Sequence, residues 1–246
     1  MSAYANDTIP VFAGPSLWGW RAQPPFVRHP PAAAGDLLRL LGGEPCSVVL
    51  IDGLFDARRS VWHKEILLLL ARGFRVVGAA SMGALRAAEL APFGMIGSGS
   101  IFEAFASGRI SGDDEVAVVH APAEFGAAPL SLAQVDVRAV LVRSVRNGLI
   151  DAASARLLRG ASAQIHYRDR TWIGVLAAGE QMGLRLDHFA AWLATHDFSQ
   201  KANDARTALD LALELAVEPP MARPEPPITD FIRIAARRVA VDLDRP

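Results

Sequence analysis

Continuous apolar runs, rather than alternating ones, mark the first hundred positions. Residues 47–51 form an aliphatic, β-branched run that stops at Asp52-Gly53, which suits a strand buried on both faces. Residues 75–78 repeat the pattern, and residues 9–17 read as a short strand broken by Gly14-Pro15-Ser16. Between these runs the apolar spacing turns helical. One helix is expected over 35–41. A second, capped by Ser60, runs through Ile66 and Leu70 to Gly73, and a third follows Ser81 and ends before Pro92. Prolines 24, 25, 30 and 31 mark an irregular connection. Strand, helix, strand, helix in this rhythm predicts an α/β fold, a parallel-type sheet flanked by helices.

Beyond Gly94 the pattern changes. Ser100 with Glu103, and Ser131 with Gln134, have capping-box spacing and open helices that close at Gly108 and near Asn147-Gly148. Residues 116–119 read as a further strand. From there on only helices are expected, over 151–159, 170–182, 187–195 and 204–217. A proline-rich connector over 219–227 precedes an amphipathic segment carrying Ile228, Phe231, Ile232 and Val239. Three parts follow: an α/β core over 1–148, an appended α-helical part over 149–218, and the connector with its terminal amphipathic helix over 219–246.

Composition narrows the setting. The chain has 246 residues, 51% of them hydrophobic, enough for a sizeable core. A net charge of -1 supplies no positive field for nucleic acid or anionic lipid. The single cysteine, Cys46, excludes an intramolecular disulfide and fits a reducing cytosol. It precedes a buried strand without a basic neighbour, which suits a packed thiol. The N-terminus shows no basic stretch followed by an apolar run, and residues 66–71 are too few to span a bilayer, so a cytoplasmic protein is expected. No phosphate-loop signature and no zinc-type Cys/His spacing occurs, and neither a cofactor nor a metal is expected.

The candidate chemistry gathers at two helix starts. In Gly78-Ala79-Ala80-Ser81-Met82-Gly83 a strand, a tight turn with Ser81 at its tip and a helix behind it have the layout of a nucleophile elbow. Ala79 stands where the first glycine of that motif would be, and capping of the helix is the alternative role for Ser81. Backbone N–H groups there could hold an anion or a developing oxyanion. In Val61-Trp62-His63-Lys64-Glu65, His63 falls at the third helical position if Ser60 is the cap, where the helix dipole favours neutral imidazole and hence a general base. Trp62 would supply an apolar wall and Glu65 would orient the ring; a polar surface is the alternative. Asp52 ends a buried strand, where doubly wound sheets expose binding residues, or else it caps its turn. Arg86 pairs with Glu89 one turn on, or binds a carboxylate or phosphate. Asp113, Asp114 and Glu115 offer a cation cluster or a solvated loop, and His120 a second base or a structural polar group.

These segments, with Asp52-Gly53-Leu54-Phe55, Leu85-Arg86-Ala87-Ala88-Glu89-Leu90, Phe93-Gly94-Met95 and Asp113-Asp114-Glu115-Val116-Ala117, resemble the core of the TfuA-like family. Gly14 to Leu17 matches that family's early Gly-Pro-Ser-Leu, with later echoes at Asp169-Arg170-Thr171, Lys201 and Asp204-Ala205. The resemblance covers most of residues 10–145 and thins afterwards. It implies a helper of a YcaO-type enzyme in forming peptide backbone thioamides. Such a helper hydrolyses the C-terminal thiocarboxylate of a ThiS-like sulfur-carrier protein and delivers sulfide to its partner. On that basis Ser81, His63, Glu65 and Asp52 are the catalytic candidates, and Gly14, Ser16, Trp62, Gly78, Met82, Gly83, Arg86 and Asp114 the substrate-binding ones. The competing expectations are a non-catalytic adaptor or activator of a YcaO enzyme, a stand-alone serine hydrolase, and a phosphate- or nucleotide-binding module built on the Gly78–Gly83 turn. Monomer and homodimer are both open.

Overall fold

The computed structural model describes residues 8–54, 59–216, 223 and 225–243; Phe55 and much of the proline-rich connector lie outside them. Five strands, β1 (Ile9–Phe12), β2 (Phe26–His29), β3 (Ser47–Leu50), β4 (Arg75–Ala79) and β5 (Ile96–Ser98), form one parallel sheet in the order β2-β1-β3-β4-β5. The chain steps outward from β1 in one direction to β2 and in the other through β3 to β5. The crevice outside the carboxyl ends of β1 and β3 is therefore the topological switch point, where open α/β sheets bind ligands.

The sheet is covered on both faces. Helices α1 (His63–Ala71) and α2 (Met82–Leu90) bury Ile66, Leu69, Met82 and Ala87 against Val48, Leu50 and Val76 on one side. The other side is covered by α8 (Gln200–Ala216), whose Ala205, Ala208 and Ala212 lie against Val11, Val49 and Val77. Alanines on that stripe let the helix backbone approach the sheet closely. In the chain between α2 and α8 come α3 (Gly99–Ala106), α4 (Gln134–Arg146), α5 (Ala152–Gln164), α6 (Trp172–Gln181) and α7 (Asp187–Leu193). Helices α4 to α7 share a cluster of their own around Leu158, Val175 and Phe189. Last, α9 (Asp230–Arg238) packs Ile232 and Ala236 against Leu38 and Leu68. Among the described residues no helix is long and apolar enough to cross a membrane.

Several local expectations are corrected. Strands β2 and β5 were not expected: β2 is a half-exposed strand at the sheet edge, between prolines, and β5 has three residues with Gly97 in the middle. Residues 116–119 form no strand, because side chains take their backbone groups. Lys201 donates to the Val116 carbonyl, and the Val119 N–H donates to Ser131 Oγ. Residues 37–42 are a 3-10 helix. The N-cap of α1 is Trp62, two residues past Ser60, so His63 opens the helix instead of standing third. Asp204 holds the Ile101 N–H at 2.7 Å, and α3 starts after Ser98 without the Ser100–Glu103 box. Ser131 is occupied by Val119 and Gln134 by Ser162, so α4 starts from Ala133 without a capping box. Helix α8 begins at Gln200, four residues earlier than its spacing suggested.

Candidate functional site

Asp52 follows β3 at the switch point and is 2% exposed. Its carboxylate accepts hydrogen bonds from the Gly14 N–H at 2.8 Å, the Ser16 N–H at 3.0 Å and the Ser16 hydroxyl at 2.7 Å. These donors sit in the turn after β1, which Arg28 braces through the Trp20 carbonyl. A Cβ at Gly14 would meet the Pro31 ring at 2.5 Å, so the turn needs glycine there. From α8, the Lys201 ammonium lies 4.0 Å from the same carboxylate and donates to the Val116 carbonyl at 2.8 Å. Asp136 of α4, itself half-buried, accepts from the Lys201 N–H at 3.1 Å and from Ser199 Oγ at 3.2 Å. Burial pushes Lys201 below the ordinary lysine range, against the opposing pull of Asp52 and Asp136. Burial likewise pushes Asp136 up, against Lys201.

Ser81 lies where β4 turns into α2. Ala80 has φ +65, and the Ser81 N–H returns to the Ala79 carbonyl at 2.7 Å, the tight three-residue turn that side chains rarely adopt. Such strain persists only where the surroundings enforce it, and it concentrates at functional sites. The surroundings are visible: a Cβ on Gly78 would collide with the Gly83 carbonyl, and one on Gly83 with the Leu50 carbonyl. Glycine at both positions lets α2 start directly against β3 and β4. The Gly83 N–H donates to the Ile51 carbonyl at 3.0 Å, so this amide is already engaged. The Ser81 hydroxyl makes no cap bond; it points to the Val116 carbonyl at 3.5 Å, the acceptor it shares with Lys201. Ser81 Oγ and Lys201 Nζ are therefore no further apart than those two bonds laid end to end.

Above this cluster opens a cavity of about 780 Å³, with Lys201, Ser16 and Asp136 among its lining and Trp18, Trp20 and Trp172 in its walls. Trp18 is 58% exposed, and Phe125 and Leu130 are also exposed. The Trp18 ring approaches Gly126, the residue after Phe125 in the chain.

The remaining candidates are placed elsewhere. His63 Nε2 meets Glu89 at 2.8 Å on the outer surface of α1 and α2, and Glu89 also holds Arg86 at 2.6 Å. Glu89 is seven residues along α2 from Met82, roughly 10 Å by helix rise. The structure thus separates His63 from Ser81 and does not join them. Arg86 also donates to the Val61 carbonyl at 3.1 Å, tying α2 to the start of α1. Glu65 faces inward, where it accepts from the Gly35 N–H at 2.9 Å and the Trp62 N–H at 3.2 Å. Burial raises its pKa to about 7 despite those two bonds. Trp62 packs on Phe231 of α9, and Met82 is buried over Gly53. Asp114 sits in the 3-10 turn Asp113–Glu115, close to the Gly112 backbone, while neighbouring Glu115 pairs with Arg138. Cys46 is partly buried, and burial pushes its thiol up to about 11, which leaves it a poor nucleophile.

Sequence reasoning noted Lys201 only as a motif echo and did not see it as a site residue. A signal was present. The chain has 25 lysine and arginine residues, and only Lys64 and Lys201 are lysine.

A doubly wound α/β protein with a buried ionic cluster and a cavity at its switch point is thus defined by geometry. Residues 52–171 match the family model described as TfuA-like protein, and the chain is similar to the TfuA-like family over that stretch. That family is associated with YcaO partners in thioamide formation. No curated protein matches the chain. The family match includes Asp52, Ser81 and Asp136; Gly14, Ser16 and Lys201 complete the cluster from outside it.

Proposed function

We propose that this protein serves a YcaO-type enzyme by hydrolysing the C-terminal thiocarboxylate of a ThiS-like sulfur-carrier protein and releasing sulfide for thioamide formation. The observation that carries the reading is the convergence of Ser81, on its strained turn, with Asp52 and with Lys201, which itself lines an open cavity. Thiocarboxylate hydrolysis consumes water and yields a carboxylate, hydrosulfide and a proton. It needs a nucleophile at the carbonyl carbon and positive charge or N–H donors near the developing oxyanion. Ser81 supplies the hydroxyl, and Lys201, once it carries a proton, supplies the cation within a low-dielectric setting, where such charge acts strongly. Sulfide leaves readily, so a strong acid at the leaving group is not required. Asp52 fixes the Gly14–Ser16 turn along the cavity and keeps the lysine in register. The exposed Trp18 in the cavity wall suits contact with a protein substrate, and Phe125 and Leu130 add exposed apolar surface.

The test is sulfide release from a purified thiocarboxylated carrier. The parent protein is expected to release sulfide, and Ser81→Ala, folded as judged by circular dichroism, to lose at least tenfold. No release from the parent, with a YcaO partner present, would overturn the hydrolase. The second reading, an adaptor that only docks and activates a YcaO enzyme, is favoured by the same exposed apolar rim. It predicts that Ser81→Ala supports thioamidation at the parental rate.

A further inference from the structure

The cationic residues of this chain are almost all arginine, on the surface and in the interior alike. Arg170 is 1% exposed and satisfied by the carbonyls of Ser162, Leu132 and Ile165. A buried cation as such is therefore met by arginine here. Of the two lysines, Lys64 is half-buried and reaches the Pro227 carbonyl, whereas Lys201 is 3% exposed and lines the cavity. The property that separates the two side chains is proton release: an amine can become neutral within the pH range of enzymes, and a guanidinium cannot.

The surroundings of Lys201 fit a group that changes charge. Asp52 after β3 and Asp136 on α4 face it from two sides and hold the ammonium form. Desolvation opposes them and favours the neutral amine. His196, Asp197 and Arg206 are the other charged or titratable groups around the cavity. Neither carboxylate has an equivalent route to Ser81. The oxygens of Asp52 are engaged by the Gly14–Ser16 turn, and Asp136 is engaged by the start of α8. Lys201 alone shares the Val116 carbonyl with the Ser81 hydroxyl.

We propose that Lys201 is a catalytic residue, the amine that accepts the proton of Ser81 and returns it to the departing sulfur. This rests on the thiocarboxylate reading above. Neutral Lys201 Nζ takes the Ser81 Oγ proton as Oγ bonds to the thiocarboxylate carbon. The C–S bond breaks, its electron pair leaves on sulfur, and the ammonium gives that sulfur the proton, producing hydrosulfide and an acyl ester on Ser81. In the second half Lys201 takes a proton from water as the water oxygen bonds to the acyl carbon. The ester C–O bond breaks, Ser81 recovers its proton, and the carboxylic acid product ionises.

Because only two lysines are present, the intact protein labelled with 15N-lysine gives two side-chain resonances, and Lys201 can be titrated directly beside sulfide release. Lys201 is expected to titrate below Lys64, with its midpoint matching that of the rising limb of the pH–rate profile. Lys201→Arg, which keeps the charge, and Lys201→Met are each expected to lower release at least 100-fold. Titration of Lys201 at or above Lys64, or a kinetic midpoint more than one pH unit away, would overturn the proposal even if both variants fail to fold. Release by a folded Lys201→Arg at the parental rate would overturn it while leaving the hydrolase standing. A parent that releases nothing would overturn both.

Discussion

Helices α1 and α2 border two polar clusters built from similar side chains. Outside, His63, Glu89 and Arg86 meet at 2.8 and 2.6 Å with His63 47% and Glu89 38% exposed. Inside, Asp52, Lys201 and Ser81 share partners at looser spacings but are each 3% exposed or less. The outer contacts are the shorter ones, yet water screens them and ordering long side chains offsets their attraction. The inner groups cannot trade partners for water, so every charge there must be matched and every change of protonation is felt by its neighbours. Short distance alone does not mark a candidate site; desolvation with convergent partners does.

The largest break in that comparison is expected from Asp52→Asn. It leaves the buried Lys201 ammonium without its partner after β3 and should cost about 3–5 kcal/mol, read by denaturant unfolding. A loss below 1 kcal/mol would show that Lys201 is already neutral or that Asp136 suffices.

Glu65 stands on the same helix as His63 but on its buried side, and it sharpens the contrast through pH. Its carboxyl is raised from 4.5 to about 7, so the native state holds the proton more tightly than the unfolded chain does. Stability from this group is therefore greatest below about pH 4.5 and declines as the pH rises to about 7, by about 3 kcal/mol. Subtracting the unfolding free energies of Glu65→Gln from those of the parent across pH 4–8 should reveal that slope. An identical pH dependence in both would remove it.

Gly83→Ala drives a methyl into the Leu50 carbonyl at the start of α2. The expected destabilisation is about 1–3 kcal/mol, seen as a lower unfolding midpoint. The smallest effect belongs to the outer cluster: Glu89→Ala should change stability by less than about 1 kcal/mol, and high salt should erase the difference. A larger, salt-resistant loss would make the outer cluster structural after all.

Much of the scaffold was legible from the chain because apolar runs report burial. Residues 47–51 and 75–78 lie in the middle of the sheet, surrounded by apolar neighbours, and their sequences say so. The edge strand β2 and the three-residue β5 carry no such run, since pairing with an existing sheet requires little apolar surface of its own. Asp52 and Ser81 were legible as candidates because each follows a buried strand directly. The relation of His63 to Ser81 was not, because nearness in sequence motifs says nothing about which end of α2 a side chain meets.

The sequence by itself determined the α/β class, the glycine positions that let α2 start against the sheet, and the likeness to the TfuA-like family. Local spacing is enough for these, since each depends on residues within a turn or two of one another. Only the tertiary structure decided that α8 covers the second face and carries Lys201 to Asp52 and the Val116 carbonyl. Those contacts join residues 149 and 85 positions apart. Their energy comes from removing the amine and its partners from water together, which no local pattern encodes.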